Sequence, residues 1–201
     1  MTPQRKLLVA STNPGKLVEL RELMADLPVT WLSLADVGLN NMDVEETGDS
    51  FAANAILKAQ AYSAASGLPT LADDSGLVVD ALNGAPGVYS ARYGPTAPER
   101  NAKLLKALDG IAFEQRTARF VSVIAVALPG GVLITAEGSV EGQVGMPGSV
   151  PRGENGFGYD PVFVMDGGKT MAELPSAEKN KISHRGRALA KLHPILRCVF
   201  D

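Results

Sequence analysis

Residues 71–76 read LADDSG, and the reading of this stretch decides the fold. An apolar run from Leu68 to Ala72 enters Asp73 and Asp74 directly, and Ser75 and Gly76 follow. No basic residue lies within ten positions on either side of the pair. Two adjacent carboxylates repel each other unless charge from elsewhere in the chain balances them. A solvated turn is the plain reading of such a pair in isolation, since Asp, Ser and Gly all favour turns. The alternative is a buried strand that ends by delivering carboxylates to a site.

Toward the N-terminus, residues 7–12 (LLVAST) read as a short buried strand. The chain then passes through NPGK into an amphipathic helix with Leu17, Leu20, Leu23, Met24 and Leu27 at helical spacing. Asn13 suits its N-cap and Pro14 its first position. Residues 29–34 predict a second strand, 40–50 (NNMDVEETGDS) an acidic loop, and 51–66 an alanine-rich helix closed by Gly67. Toward the C-terminus, strand 68–72 gives way to DDSG as a turn and to a new strand at LVVDAL. A helix is expected within 96–108, ended by Gly110, and 118–128 with 132–140 form a hairpin around PGG. The glycine-rich loop PRGENGFGYD precedes the strand PVFVM, and residues 183–199 close the chain as a helix containing Pro194. Helices alternating with strands early, and a hairpin later, predict an α/β protein with a mixed sheet. Without repeats or a linker, residues 1–201 read as one domain.

Composition narrows the classes. A net charge of −3 argues against general affinity for nucleic acid backbone. No apolar run approaches the roughly 18 residues that would span a bilayer, and MTPQRKLLVAST lacks the pattern of a secretory signal. The one cysteine, Cys198, excludes an internal disulfide and a cysteine-rich zinc site, and its place in the apolar pattern of the last helix predicts core. Cytoplasmic location is the expectation.

Several segments carry chemistry. In residues 11–16 (Ser11, Thr12, Asn13, Pro14, Gly15 and Lys16) a small-residue turn and a lysine stand between strand and helix. Free N–H groups at such a helix start attract phosphate, although the Walker spacing is absent. The acidic loop holds Asp43, Glu45, Glu46 and Asp49, and hard oxygen ligands in small number suit Mg²⁺ beside a phosphate. Asn54 and Lys58, four apart, share a helix face. In GENGFGYD, glycines allow close backbone approach and Phe157 offers a stacking face. Lys179, Lys181, His184 and Arg185 form a cationic cluster at a helix start, against the dipole preference, which points to an anionic or carbonyl-bearing ligand or to partner carboxylates within the chain. Ser75 lacks a nucleophile elbow, and two histidines without H-E-x-x-H spacing disfavour zinc. Spacing alone assigns no role to Tyr89, Arg92 and Tyr93.

Taken together and in order, STNPGK, EETGDSFAANAILKA, ADDSGLVVDALNGAPGVYSARY, GFGYDPVF and AEKNKISHRGRAL resemble the inosine/xanthosine triphosphate pyrophosphatase family. The resemblance implies a twisted mixed sheet, two lobes flanking a nucleotide-binding cleft, Mg²⁺ dependence and a homodimer. It implies hydrolysis of ITP, dITP or XTP to the monophosphate and pyrophosphate, which removes deaminated purines from the nucleotide pool. Asp74 would serve metal and water, with Asp73 in support and Glu45 as metal partner. The 11–16 turn with Asn13 and Lys16, together with Lys58 and Ser75, would hold phosphates. Phe157, Gly158, Tyr159, Asp160, Lys179, His184 and Arg185 would hold base and sugar, the last two donating to a 6-carbonyl. A related triphosphate pyrophosphatase with another base preference, or a non-catalytic nucleotide- or RNA-binding module, is the alternative.

Overall fold

The computed structural model describes residues 5–201; residues 1–4, the start of the stretch read for a signal, lie outside the described residues. Among the described residues six strands form one sheet in the order β2-β1-β3-β4-β5-β6. They are β1 (Arg5–Val9), β2 (Val29–Ser33), β3 (Thr70–Val79), β4 (Thr117–Ala127), β5 (Leu133–Val144) and β6 (Phe163–Val164). The helices are α1 (Pro14–Leu23), α2 (Phe51–Ser66), α3 (Ala97–Ala107), α4 (Ser176–Ile182) and α5 (His184–Phe200). β1 pairs parallel to β2, with Arg5 opposite Val29, and parallel to β3, with Val9 opposite Leu71. β5 and β6 are antiparallel, so the sheet is mixed as expected. Among the described residues no helix is long and apolar enough to cross a membrane.

The chain divides into two compact units. Of the described residues, the first comprises 5–74, 122–138 and 185–201; the second comprises 75–121 and 139–184. In the first unit, alternate strand residues build two separate cores. Leu7, Val9, Leu71, Ile124 and Val126 pack with Leu20 and Met24 of α1 and with Leu189, Leu192 and Leu196 of α5. Their neighbours Leu8, Ala10, Ala72, Val123 and Ala125 pack with Ala55, Ala59 and Tyr62 of α2. The period of two along a strand thus puts α1 and α5 on one face and α2 on the other. Each large buried side chain contributes about 1.5–3 kcal/mol of transfer free energy. The second unit has its own core, including Leu77, Leu104, Phe120, Val140, Val144, Phe163 and Met171.

Both early helices start where their sequences predict, and α2 stops there too, whereas α1 ends at Leu23, short of the expected Leu27. Asn13 caps α1, accepting from the N–H groups of Gly15 and Lys16, and Gly67 ends α2 in the left-handed region at φ 69°. Three expectations change. DDSG is not a turn: β3 runs unbroken through it, merging the two strands read on either side. Residues 176–182 form α4, a short helix absent from the sequence reading, and α5 passes through Pro194 without ending. Cys198 is exposed rather than core. The buried stripe of α5 is Leu189, Leu192, Leu196 and Phe200, and a residue two positions from Leu196 falls on the opposite side of the helix.

Gly76 explains how the chain stays extended here. A Cβ at this position would stand 2.4 Å from Ser90 Oγ and 2.6 Å from the Gly87 carbonyl oxygen. The same Ser90 hydroxyl accepts the Leu77 N–H at 2.9 Å and donates to the Gly87 carbonyl, bracing the strand against the segment after NGAPG. Gly76→Ala is expected to lower stability by about 1–3 kcal/mol through overpacking, read as a lower urea midpoint. An unchanged midpoint would show that Ser90 moves aside freely.

Candidate active site

Because β3 is extended at both aspartates, Asp73 and Asp74 point to opposite faces of the sheet. Asp73 follows Leu71 onto the α1/α5 face, and Asp74 follows Ala72 onto the α2 face. Each finds its own cations there, which removes the repulsion that made the pair improbable.

Asp73 is buried, with its side chain fully out of solvent. Its Oδ2 meets Lys16 Nζ at 2.7 Å and Arg185 Nη2 at 3.1 Å. Its Oδ1 accepts from the hydroxyl of Ser122 at 2.5 Å. Burial by itself would raise its pKa, but Arg185 and Lys16 outweigh that and hold the carboxyl well below the usual range. Arg185 is also bonded to Glu19 of α1 through Nη1. Glu19 and Ser122 went unmarked in the sequence reading. The signals were a glutamate three positions after Lys16 on one helix, and a serine inside the apolar run of β4.

Asp74 has different company. Its Oδ1 lies 3.0 Å from Lys58 Nζ, and its Oδ2 accepts from Asn54 Nδ2 at 3.4 Å. Burial raises its pKa, with Lys58 opposing. Lys58 Nζ also meets Glu46 Oε1 at 2.6 Å and the Asp73 carbonyl oxygen at 3.1 Å. The i, i+4 pair Asn54 and Lys58 therefore acts as one unit, as their spacing implied. Of the two glutamates in the acidic loop, Glu46 shares a lysine with Asp74, while Glu45 is exposed. Among the described residues no three His, Cys, Asp or Glu side chains gather around one point. Two carboxylates converging on one cationic position nonetheless fit Mg²⁺, which takes one or two carboxylates and completes its shell with water and phosphate oxygens.

Around α1 the turn is self-satisfied. Ser11 Oγ accepts the Asn13 N–H at 3.2 Å, and Asn13 Oδ1 accepts from Gly15 at 2.9 Å and Lys16 at 3.3 Å. The cap thus occupies helix N–H groups that the sequence reading left free for phosphate. Thr12, Asn13 and Pro14 are exposed at this turn, with Ser11 and Gly15 partly so. β1 and β3 are parallel with Val9 opposite Leu71, so the turn that follows the carboxyl end of β1 stands beside the aspartates midway along β3.

The remaining expected site residues lie in the second unit, except Arg185. Asp160, buried, accepts from the Phe157 N–H at 2.8 Å and from Lys179 Nζ at 2.8 Å. Lys179 Nζ in turn stands 5.0 Å from the centre of the Phe157 ring. Gly156 is required: its φ is +78°, and a Cβ would stand 2.1 Å from Asp160 Oδ2. Asn101 of α3 donates to the Gly158 carbonyl at 3.2 Å, and Tyr159 donates to the Ser90 carbonyl at 2.9 Å. His184 stacks on Phe120 with ring centres 4.9 Å apart. Ser75 is partly exposed within β3. Arg185 lies in the first unit, its guanidinium buried and divided between Asp73 and Glu19.

Comparison with known proteins agrees with this arrangement of motifs. A sequence model of the Ham1 family matches residues 7–195. A dITP/XTP pyrophosphatase of Bacillus subtilis is 48% identical over 200 residues, covering 98% of this chain and 99% of its own. The structure of a HAM1 protein from Coxiella burnetii superimposes with a TM-score of 0.84 at 42% identity, covering 96% of this chain and 98% of that one. The Ham1 protein of Staphylococcus aureus gives 0.85 at 38% identity, over 97% and 100% of the two chains. With a family match over nearly its whole length and full-length relatives near half identity, the chain belongs to the Ham1 family.

Proposed function

We propose that this protein hydrolyses non-standard purine nucleoside triphosphates (ITP, dITP and XTP) between the α- and β-phosphates, giving the monophosphate and pyrophosphate. The observation that carries the reading is the division of labour in the Asp73–Asp74 pair. Asp73 has both oxygens engaged by Lys16, Arg185 and Ser122, so it is a fixed anion. Asp74 is buried too, but its side chain is 10% exposed where that of Asp73 has no exposure, and its pKa is raised by burial, which suits a carboxylate that orients or deprotonates a water. Full-length relatives named as dITP/XTP pyrophosphatases support the same chemistry.

Asp74 and a carboxylate of the Glu45–Glu46 pair would hold Mg²⁺, whose chemistry there is to neutralise charge on the triphosphate; Glu46 is favoured because it already shares Lys58 with Asp74. Lys16 and Lys58 neutralise charge that grows as pyrophosphate leaves. Asn13 and the 11–16 turn present Lys16, and Ser75 follows the aspartates as a hydroxyl donor. The base and sugar end falls to Phe157, Gly158, Tyr159, Asp160, Lys179 and His184. Phe157 stacks without choosing a base. Lys179 is aimed by Asp160, and His184 supplies a donor to the 6-carbonyl of hypoxanthine or xanthine, where adenine presents an amino donor. Arg185 is assigned to the same carbonyl, and it also braces Asp73. Removing it would take a buried cation from both Asp73 and Glu19 and cost about 3–5 kcal/mol, so His184 is the cleaner residue for testing base choice. We further propose a cytoplasmic homodimer.

Pyrophosphate release from a panel of triphosphates tests the reading. ITP, dITP and XTP should be preferred over ATP by about 10⁴-fold in kcat/KM, with GTP the better of the two poor substrates, and EDTA should abolish turnover. Equal use of ITP and ATP would refute the base assignment, and His184→Ala should narrow the preference. Asp74→Asn should keep its fold and lose at least about two orders of magnitude in kcat; near-normal kcat at saturating Mg²⁺ would remove Asp74 from the chemistry. Sedimentation should give a species of twice 21.1 kDa, and a purely monomeric boundary at micromolar concentration would count against the dimer.

A further inference from the structure

The buried polar chain on the α1/α5 face includes a carboxylate that the hydrolysis as proposed does not use. Glu19 lies three residues after Lys16 on α1 and is 8% exposed. It binds Nη1 of Arg185, whose Nη2 binds Asp73 Oδ2 at 3.1 Å. The same Oδ2 accepts from Lys16 Nζ at 2.7 Å. One carboxylate oxygen is thus shared by two cations, and the second of them is divided between that oxygen and Glu19. Ser122 holds the other oxygen, Oδ1, at 2.5 Å, so the carboxylate cannot rotate to serve the cations separately.

We propose that Glu19 is a positioning residue for the hydrolysis: by holding one arm of Arg185, it leaves Asp73 Oδ2 available to fix the Lys16 ammonium at the phosphates. The inference rests on the pyrophosphatase reading given above. With Glu19 neutralised, Arg185 loses its second anionic partner in this chain of contacts and is drawn onto Asp73. Lys16 then competes with a bidentate guanidinium for a single carboxylate, and guanidinium wins such contests by geometry. The ammonium is displaced from the position that the turn after β1 gives it. The pairing is also neutral as built, with Lys16 and Arg185 against Asp73 and Glu19, so loss of one carboxylate leaves a buried positive excess. Lys16 is already disfavoured as a cation by burial, against the pull of Asp73, and the nearby Arg185 charge adds to that penalty.

A residue that merely stabilises the fold and one that aims Lys16 separate in a double-mutant cycle. The test uses the full chain with ITP and Mg²⁺, and Glu19→Gln, which keeps shape and an acceptor but removes the charge. Expected is a loss of about tenfold in kcat/KM in the Lys16-containing protein and of less than about twofold in the Lys16→Ala background. Glu19→Asp should recover part of the loss. Ser122→Ala, which frees the other end of Asp73, runs through the same cycle should Glu19→Gln fail to fold. Equal factors in both backgrounds, or no loss where Lys16 is present, would overturn the proposal. Calorimetric affinity for inorganic pyrophosphate gives a second readout of the cycle that does not depend on turnover. Absence of pyrophosphate release from every triphosphate would defeat the functional reading, whereas an additive cycle in either readout defeats the role of Glu19.

Discussion

A carboxylate with no access to water is the constraint on which the first unit depends. Burying Asp73 costs several kcal/mol of desolvation that only close, well-directed partners offset. Those partners come from separate stretches of chain: Lys16 from α1, Ser122 from β4 and Arg185 from the start of α5. The side chain of Asp73 therefore specifies which elements must meet on that face of the sheet. An apolar residue there would pack as well or better, but it would not say where a lysine ammonium should stand.

On the opposite face the same strand gives the opposite result one residue later. Asp74 meets α2 through Asn54 and Lys58, keeps some exposure, and has its pKa pushed up where that of Asp73 is pushed down. Two identical side chains acquire different roles because the strand period sends them into different surroundings. One is locked as a charge by three partners; the other holds its proton more readily than an ordinary aspartate. The backbone joins the two, since the Asp73 carbonyl accepts from Lys58 while the Asp73 carboxylate accepts from Lys16.

Much of this architecture was legible in the sequence because local signals were strong. Asn13 and Pro14 located the start of α1, and Ser50 and Gly67 bracket α2 where the alanine-rich run suggested. The α/β class followed from the alternation of elements. DDSG misled because turn-forming residues outweigh β propensity in any local reading; only tertiary partners keep Asp73, Asp74 and Gly76 extended. Arg185 was ambiguous for a related reason. A cation at a helix start invites an anionic ligand, and in this chain Glu19 and Asp73 are the anions that it finds. Glu19 and Ser122 were invisible as site residues because their importance lies in a partner more than a hundred residues away and in a strand pairing, neither of which periodicity reports. The acidic loop shows the limit of composition alone: four carboxylates signalled a cation, but only the fold distinguishes Glu46, on Lys58, from exposed Glu45.

The central claim is that an adjacent pair of aspartates has been split into a fixed anion and a reactive group. Residue-resolved titration of the two side-chain carboxyls, by carbon-13 NMR on protein labelled at aspartate and assigned with single Asp→Asn variants, measures that split directly. Asp73 should stay ionised to pH values below the ordinary aspartate range near 3.8, and Asp74 should take up its proton above it. Titration of both carboxyls together at the ordinary value, or with Asp73 the higher of the two, would contradict the account.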